Sequence, residues 1–432
     1  MKRPKQTSTS ISTASSCPPA AVLAFVFALA LVMTPAQAQT FTVLHTLNGT
    51  TDGSDPVSGL VSDQQGNLYG AAAGGGISNC DGAGCGTVFK LSRHGSGWIF
   101  SVLYRFTGAG DGSNPEAPLA IAPDGSLYGT TYFGGIDGCR SGWGCGTVFK
   151  LSPPPSVCAA VACEWTKTTL YEFTGQTDGE YPLGQLTFDQ AGNVYGTASN
   201  SLSDQYEGSV FELTPSNGGW TFNLLYAFPW PGSGYPDGGV VFDSQGNLWG
   251  VQGYGGTNNC SDDDYNCGSV YELSPSSSGW TETTVFEFNT STGGHPTGTL
   301  VADQSGNFYG TLDSDGPHQI ADSGAGGVFQ FVPSGGEFNL LYSATGYPGN
   351  NAGPYGGVVM DMGGNLYAAA EGVGYSGFVF ELSPLYGRWV FTNLHNFTGG
   401  SDGATPVGPL ALDAEGNVYG ADLSNVIFEI TP

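Results

Sequence analysis

Short apolar runs, separated by stretches of Gly, Asp, Asn and Ser, recur along the chain in a fixed order. In the first unit they are GLVSD at 59–63, NLYGAA at 67–72, GTVFKL at 86–91 and WIFSVLYRF at 98–106. The last of these alternates its side chains with a period of two, which is typical of a β-strand. Beyond the N-terminus no segment sustains the period of an amphipathic helix. The pattern therefore predicts units of four short strands.

Seven copies of one short phrase mark these units. Each copy reads GN or GS, an apolar residue, an aromatic residue and then Gly or Ala, and the copies begin at Gly66, Gly125, Gly192, Gly246, Gly306, Gly364 and Gly416. Their spacings lie between 52 and 67 residues. A repeat of this length, with four strands and no helix, predicts an all-β, seven-bladed β-propeller with four antiparallel strands per blade. We expect one such domain over residues 39–432.

The ends of the repeat region predict how the ring closes. The seventh unit stops at its third strand, VIFEITP at 426–432, while FTVLHTL at 41–47 precedes the first unit. That segment matches FTNLHNF at 391–397, an outer strand of the sixth unit, at four of seven positions. We therefore expect 41–47 to pair with 426–430 as the fourth strand of the seventh blade, which removes the open sheet edges.

Residues 1–38 have the organisation of an export signal. Lys2, Arg3 and Lys5 form a positive start, AAVLAFVFALALVM at 20–33 an apolar core, and AQA at 36–38 a small-residue cleavage site. The apolar run is shorter than the roughly 20 residues that span a membrane comfortably. The sequence predicts a secreted, periplasmic or cell-surface bacterial protein without a stable membrane span after cleavage. An uncleaved anchor is the alternative.

Charge narrows the choice of partner. Without residues 1–38 the chain has seven basic residues against 37 acidic ones, a net charge of −30. Such a surface repels the phosphates of nucleic acids and anionic lipids, and no basic patch compensates for it. The sequence therefore excludes nucleic acid as a partner and favours a glycan or a surface protein. We expect a monomer.

Eight cysteines remain after the signal, and they fall into close pairs. In an exported chain an even number of locally paired cysteines predicts disulfides. The expected bridges are Cys80–Cys85, Cys139–Cys145, Cys158–Cys163 and Cys260–Cys267. Zinc is the alternative, but the spacing differs from pair to pair and no His stands near the cysteines.

The repeated pattern P..G.L..D..GN.YG, followed by GG and GTVFKL.P, resembles the GloVer repeat of Gloeobacter and Verrucomicrobia over nearly the whole mature chain. The resemblance implies an exported bacterial protein and no particular activity. Members often end in a sorting signal, whereas this chain ends in a predicted strand, so the resemblance leaves the mode of surface anchoring open. GLVSDQQGNLYG also resembles the inner strands of NHL-type propellers, which implies that the first strand of each unit lines the central channel.

Strand order of the NHL type assigns the loops to two faces. Loops from a fourth strand to the next first strand, and from second to third strands, share the face where propellers usually bind ligands, while the DQQGN turns lie opposite. These turns repeat an Asp in six units: Asp63, Asp189, Asp243, Asp303, Asp361 and Asp413. Six equivalent acids suit turn stabilisation better than catalysis, because each carboxylate can accept hydrogen bonds from its own turn.

Differences between the units mark candidate ligand residues on the predicted binding face. The inter-blade loops carry Asp-Gly at four neighbouring places: Asp52, Asp111, Asp178 and Asp402. The loops between second and third strands add Trp143, Asp262, Asp263, Asp264, Asp313 and Asp315. Aromatic rings beside carboxylates suit sugar recognition. The alternatives are that Asp-Gly forms turns and that these loops are merely solvated.

Signals for catalysis are sparse. The chain has no GxSxG, no HExxH and no phosphate-binding loop, and the sequence identifies no catalytic residue. It predicts no cofactor, with calcium as the alternative because DSDG at 313–316 clusters oxygen ligands. We therefore expect a binding or surface-interaction propeller with carbohydrate as the leading ligand class. The alternatives are a polysaccharide hydrolase or lyase that uses carboxylates at the channel mouth, and a structural envelope protein.

Overall fold

The computed structural model describes residues 39–431, apart from 79, 81, 96, 137, 140–141, 156–163, 201–205, 230–233, 261–265, 315–325, 345–352, 355 and 372–376. Within these residues the chain forms seven antiparallel sheets of four strands each. The predicted seven-bladed propeller is confirmed. Residues 1–38, with the predicted export signal, lie outside the described residues.

Each blade is a meander whose strands follow one another from the axis outward. The first strand of the domain, β1 (Thr40–Thr46), precedes blade 1. Blade 1 contains β2 (Leu60–Ser62), β3 (Leu68–Ala72), β4 (Thr87–His94) and β5 (Gly97–Arg105), and blade 2 contains β6 (Ala120–Ile121), β7 (Leu127–Thr131), β8 (Thr147–Ser152) and β9 (Thr166–Glu172). Blade 3 contains β10 (Thr187–Phe188), β11 (Val194–Ala198), β12 (Tyr206–Ser216) and β13 (Gly219–Pro229), and blade 4 contains β14 (Val241–Phe242), β15 (Leu248–Gln252), β16 (Ser269–Ser276) and β17 (Gly279–Glu287). Blades 5 to 7 contain β18 (Gly294–Ala302), β19 (Phe308–Ser314), β20 (Gly327–Val332), β21 (Glu337–Ser343); β22 (Val359–Met360), β23 (Leu366–Glu371), β24 (Gly377–Leu385), β25 (Arg388–Asn396); β26 (Pro406–Leu412), β27 (Val418–Asp422) and β28 (Val426–Thr431). A short 3-10 helix, Ala109–Asp111, lies between blades 1 and 2.

The N-terminal strand completes the last blade, as the sequence predicts. β1 pairs antiparallel with β28, and Phe41 stands opposite Ile430 while Thr46 stands opposite Val426. Beyond the strand, the Leu47 amide donates to the carbonyl of Asn425. The first and last segments of the domain are therefore joined within one sheet, and the ring has no open blade.

Stacked rings join the outermost strands of neighbouring blades. Phe41 in blade 7 stacks on His395 in blade 6 with ring centroids 3.9 Å apart, and His45 in blade 7 stacks on Phe100 in blade 1 at the same distance. Equivalent stacks elsewhere are Tyr171–Phe222, Phe286–Phe338 and Tyr342–Phe391. The matched positions of His45 and His395 therefore belong to an aromatic belt that links the blades.

The Gly that ends most copies of the repeated phrase makes room for the aromatic ring of the third strand. A Cβ added to Gly129 would lie 2.7 Å from Phe149 Cζ and 2.9 Å from Leu119 Cδ2. The same crowding occurs at Gly70, Gly196, Gly250, Gly310 and Gly420. Blade 6 is the exception, since Ala368 stands opposite Phe380 there. Fully buried rings therefore fill the blade centres only where the second strand offers almost no side chain.

We expect Gly129→Ala to lower the free energy of unfolding by about 1–3 kcal/mol, because the added methyl group overpacks the ring of Phe149. Ala368→Gly in blade 6 is the matched control. It should lower the free energy by about 1 kcal/mol or less, through backbone entropy and a small packing loss. Urea unfolding of both variants measures the two effects. Equal losses of unfolding free energy in the two variants would show that packing against the ring of Phe149 does not require glycine.

The repeated Asp residues organise the turns between first and second strands, on what we call the lower face. In blade 4 the Asp243 carboxylate accepts hydrogen bonds from the amides of Gln245 and Asn247, from the Asn247 side chain at 2.9 Å and from the Trp249 indole at 3.0 Å. The same arrangement recurs at Asp63, Asp189, Asp303, Asp361 and Asp413, with Tyr in place of Trp. These acids are frame residues.

The opposite, upper face carries the inter-blade loops together with the loops between second and third strands. Ser54, which precedes blade 1, bridges to Gly74 after β3, and Ser113 bridges to Phe133 in the same way. Three predicted disulfides close loops on this face: Cys80–Cys85, Cys139–Cys145 and Cys260–Cys267. The fourth pair, Cys158–Cys163, lies outside the described residues. A search of the described residues for a helix of membrane-spanning length and hydropathy finds none.

Candidate functional site

A cavity of about 540 Å³ lies on the axis of the ring, and all seven blades contribute to its lining. Its lower part is apolar, with Val241, Val301 and Val359 from innermost strands. The middle of the cavity is lined largely by backbone atoms, because glycines of adjacent blades pack directly against each other. A Cβ added to Gly298 would lie 2.5 Å from the Gly357 nitrogen. The charged side chains of the described lining lie at the upper mouth.

Three carboxyl groups surround this mouth, and they come from alternate blades. Glu116 and Asp237 follow the Pro of the loops that lead into blades 2 and 4, and Glu371 ends β23 in blade 6. The described lining contains no Lys, Arg or His. The described Lys and Arg residues all lie on third and fourth strands: Lys90, Arg93, Arg105, Lys150, Lys167 and Arg388. Among the described residues, the lining of the mouth is therefore acidic and contains no cation.

None of the three carboxyls accepts a hydrogen bond from a described residue. Burial, together with the negative charge of Asp55, raises the pKa of Glu116 to about 7. Burial alone raises the pKa of Asp237 to about 7. Burial and the charge of Asp313 also raise the pKa of Glu371. These carboxyls are thus partly desolvated and keep their acceptor capacity for a ligand.

A cluster of aromatic side chains stands beside the mouth. Tyr132 and Tyr181 stack with centroids 4.5 Å apart and an interplanar angle of 9°, and Phe133 packs edge-on against both. Burial, with added effects of Glu116 and Asp237 among others, raises the pKa of Tyr132 to about 12, so this stack stands beside the acidic groups. The stack continues outward to Trp143, 6.1 Å from Phe133 and 41% exposed. We call Tyr132, Phe133, Trp143 and Tyr181 the aromatic wall, and it stands beside the acidic groups of the mouth.

The backbone that supports this wall is strained. Six residues directly before an inter-blade Pro adopt positive φ angles between 52° and 57°: Asp55, Asn114, Tyr181, Tyr235, His295 and Thr405. Such angles are uncommon for residues with a side chain, and above all for bulky ones. Tyr181, Tyr235 and His295 belong to consecutive blades, and the rings of Tyr235 and His295 both contact Tyr254 of the cavity lining. Held strain of this kind is found at ligand sites.

A family model matches residues 29–262 and 207–429, which together cover almost the whole chain. The chain belongs to the Gloeobacter/Verrucomicrobia repeat family. The predicted family is confirmed. No curated protein matches the chain in sequence.

Solved propellers resemble this member of the Gloeobacter/Verrucomicrobia repeat family in fold. PorZ of Porphyromonas gingivalis, a bacterial surface component of the type-IX secretion system, superposes with a TM-score of 0.53 at 13% identity over 89% of this chain and 47% of PorZ. The repeat chain thus spans about half the length of PorZ. The periplasmic gluconolactonase PpgL of Pseudomonas aeruginosa gives a TM-score of 0.48 at 18% identity, over 83% of this chain and 94% of PpgL.

The four Asp-Gly acids lie in the inter-blade loops of the repeat protein, away from the cavity lining. Each carboxylate accepts from the amide four residues before it, and a ring seven residues before it approaches its other side. For Asp111 these groups are the Thr107 amide at 2.8 Å and the Tyr104 hydroxyl at 2.8 Å, with Lys167 Nζ 3.0 Å away. Asp52, Asp178 and Asp402 repeat the arrangement. These four acids shape the loops around the mouth.

The other predicted ligand residues divide between the described and undescribed parts of the chain. Trp143 lies on the aromatic wall, and Asp313 follows Leu312 at the upper end of β19, where its charge reaches Glu371 and His295. Asp262, Asp263, Asp264 and Asp315 lie outside the described residues. Within the described residues, one group brings potential metal ligands together, Cys139, Cys145 and Glu180, but its cysteines form a disulfide and cannot act as thiolate ligands.

Sequence reasoning missed Glu116, Asp237 and Glu371. The available signal was positional: the residue after the inter-blade Pro is acidic in the second and fourth units, whereas it is Val57, Leu183, Thr297, Tyr355 and Val407 in the others. In the six units where the structure describes this position, its residue lines the cavity, so a change from apolar to acidic there alters the cavity directly. A unit-by-unit comparison at that one position would have identified two of the three.

Proposed function

We propose that this protein is an exported bacterial propeller that binds carbohydrate at the upper mouth of its central cavity. One observation carries the proposal: three carboxyls that accept no hydrogen bond from a described residue line the opening of an axial cavity of about 540 Å³, and an aromatic wall stands beside them. That volume falls within the range of small-ligand sites. The proposed binding site therefore lies where the blades differ from one another in sequence.

The chemistry of the mouth matches the chemistry of a sugar. The C–H faces of pyranose rings pack on aromatic rings, and the exposed Trp143 at the outer rim and Tyr254 in the lining offer such surfaces. Sugar hydroxyls donate hydrogen bonds, and Glu116 and Asp237 are acceptors that no described residue uses. The glycine-rich middle of the cavity adds backbone close to the ligand.

Export supports a carbohydrate ligand as well. Disulfides persist in oxidising compartments outside the cytosol, and three close loops on the upper face. PorZ, a surface component with the same architecture, is a further case of a propeller working at the bacterial surface. A glycan or a glycosylated surface protein is therefore the partner class that we propose. The four loop acids Asp52, Asp111, Asp178 and Asp402 then contribute by holding the rim in shape.

A hydrolase or lyase acting on a polysaccharide is the second candidate. One observation favours it: Glu116 and Asp237 have pKa values of about 7, which suits a group that exchanges protons near neutral pH. The carboxyls lie at the channel mouth, where the sequence placed this alternative. A structural envelope protein would need neither an unsatisfied carboxyl nor an open aromatic wall.

A glycan array probed with the mature protein, followed by a reducing-end assay on every glycan that binds, tests both candidates. We expect binding without new reducing ends. Tyr181→Ala should weaken binding up to about tenfold, because it removes the buried ring on which Tyr132 stacks, and such a stack contributes about 0.5–1.5 kcal/mol beyond area burial. New reducing ends that disappear in Asp237→Asn would instead establish the enzyme.

Asp243→Asn on the lower face is the matched control, since it changes an equivalent residue type in the same blade as Asp237. Its glycan affinity should equal that of the unaltered protein. If Asp243→Asn and Tyr181→Ala weaken binding equally, the effect comes from blade stability and the upper mouth is not the site. Failure of every glycan to bind refutes the proposed function.

A further inference from the structure

Resting on the proposed function, we propose that the cavity mouth recognises the protonated amino group of a sugar, so that the protein prefers glycans containing free glucosamine-type residues to neutral or N-acetylated ones. The juxtaposition that carries this inference is that of Glu116, Asp237 and Glu371, from alternate blades, around one opening.

The contrast with the other acids of the protein makes these three informative. The turn acids of the lower face accept up to four hydrogen bonds each, as Asp303 does from Ser305, Asn307 and Tyr309. The loop acids of the upper face are satisfied in the same way. Glu116, Asp237 and Glu371 accept none from the described residues, although all three are partly buried. Buried acceptors without donors are unfavourable unless a ligand supplies the donors.

Asp237 is the strongest of the three indications. Among the described residues, burial is the cause that raises its pKa to about 7. Its carboxylate stands so close to Gly253 that a Cβ there would lie 2.4 Å from Oδ2, which fixes its position beside the opening. A desolvated carboxylate of this kind binds an ammonium group through short, charge-assisted hydrogen bonds, which are about twice as strong as neutral ones.

A hydroxyl group would satisfy the same acceptors less well. A neutral sugar donates one hydrogen bond per hydroxyl and leaves the negative charge uncompensated in a cavity that the described Lys and Arg residues do not reach. An ammonium group supplies three donors and the missing charge together. An N-acetyl group keeps one donor, loses the charge and adds bulk. We therefore expect the affinity to be highest for a sugar with a free amine and lower for sugars with a hydroxyl or an acetamide at the same position.

Three β-linked glucan-type hexamers that differ only at the second ring carbon test the order: glucosamine, glucose and N-acetylglucosamine. Calorimetry at pH ~6, where an amine is charged and where Glu116 and Asp237, with pKa values of about 7, hold protons, gives affinity and proton count in one experiment. We expect the glucosamine hexamer to bind at least about tenfold more tightly than the glucose hexamer. Its binding should also release protons, because the ammonium group lowers the pKa of Glu116 and Asp237.

Proton release is measured by repeating the titration in two buffers of different ionisation enthalpy. The other titratable groups that face these carboxyls are Asp55, Tyr132, Glu180, Asp313 and His295. Asp237→Asn and Glu116→Gln should each remove most of the amine preference and reduce the number of protons released. Asp243→Asn on the lower face should change neither.

Equal affinities for the three hexamers, or an amine preference that survives in both mouth variants, would overturn the inference. So would calcium binding at the mouth that both variants abolish without any amine preference. If none of the three hexamers binds while another glycan on the array does, the proposed function stands and the amine inference fails. If no glycan binds at all, the proposed function itself fails.

Discussion

A protein that begins at Asn48 and therefore lacks β1 should lose at least about 5 kcal/mol of its free energy of unfolding, compared with a protein that begins at Gln39. Three contributions disappear together: the pairing of β1 with β28, the burial of Leu47, and the stacks of Phe41 on His395 and His45 on Phe100. Losing one large core side chain costs about 2–5 kcal/mol, and whole proteins are stable by about 5–15 kcal/mol. Urea unfolding measures the loss.

Removal of β1 also exposes the edge of β28, four of whose six residues are buried. An uncovered edge strand pairs with other chains, so light scattering should detect association of the shortened protein. A synthetic peptide of residues 39–47, added in excess, should restore both the monomer and its stability. The protein that begins at Gln39 is the control for removal of residues 1–38. Equal stability of the two proteins would show that β1 does not close the ring.

The blade count and the closure could be predicted because their signals are local and repeated. Each copy of the phrase encodes a turn by a short-range network, in which Asp243 binds groups two, four and six residues ahead. Such a network needs no knowledge of the fold. The closing strand could be found because Phe41 and His45 occupy the same belt positions in their strand as Phe391 and His395 do in theirs.

The acidic mouth could not be predicted in the same way, since it depends on side chains far apart in sequence. Glu116, Asp237 and Glu371 are separated by more than a hundred residues each, and only the ring brings their blades around one axis. Sequence reasoning favoured the Asp-Gly acids because four neighbouring inter-blade loops carry them and the other three do not. Each of these carboxylates, however, accepts a hydrogen bond within its own loop and so serves the geometry of that loop. The residues of a ligand site are found instead where one repeat unit differs in sequence from the other units.

Asp237→Asn should stabilise the protein above neutral pH. Burial raises the pKa of Asp237 to about 7 in the folded state, whereas an unfolded Asp has a pKa near 3.9. A raised carboxyl pKa means that the folded state holds its proton longer, so this residue lowers the relative stability as pH rises from about 4 to about 7. Asparagine has no such penalty. The variant should therefore gain on the order of 2 kcal/mol at pH ~8 and little at pH ~4.

Asp243→Asn, in the turn of the same blade, should have the opposite sign. Burial acts to raise the pKa of Asp243, but the hydrogen bonds from Trp249, Asn247 and Gln245 outweigh it and hold the pKa below its usual value. A lowered carboxyl pKa contributes stability that is present above the unfolded pKa and is lost as pH falls through the folded one. This variant should lose about 1–3 kcal/mol at neutral pH, and the loss should shrink below pH ~4.

Urea unfolding of both variants from pH ~4 to pH ~8 measures the two profiles. Stabilisation by Asp237→Asn and destabilisation by Asp243→Asn would show that one blade keeps a frame carboxylate satisfied and a mouth carboxylate unsatisfied, as a ligand site requires. Parallel profiles would contradict that division between frame and site.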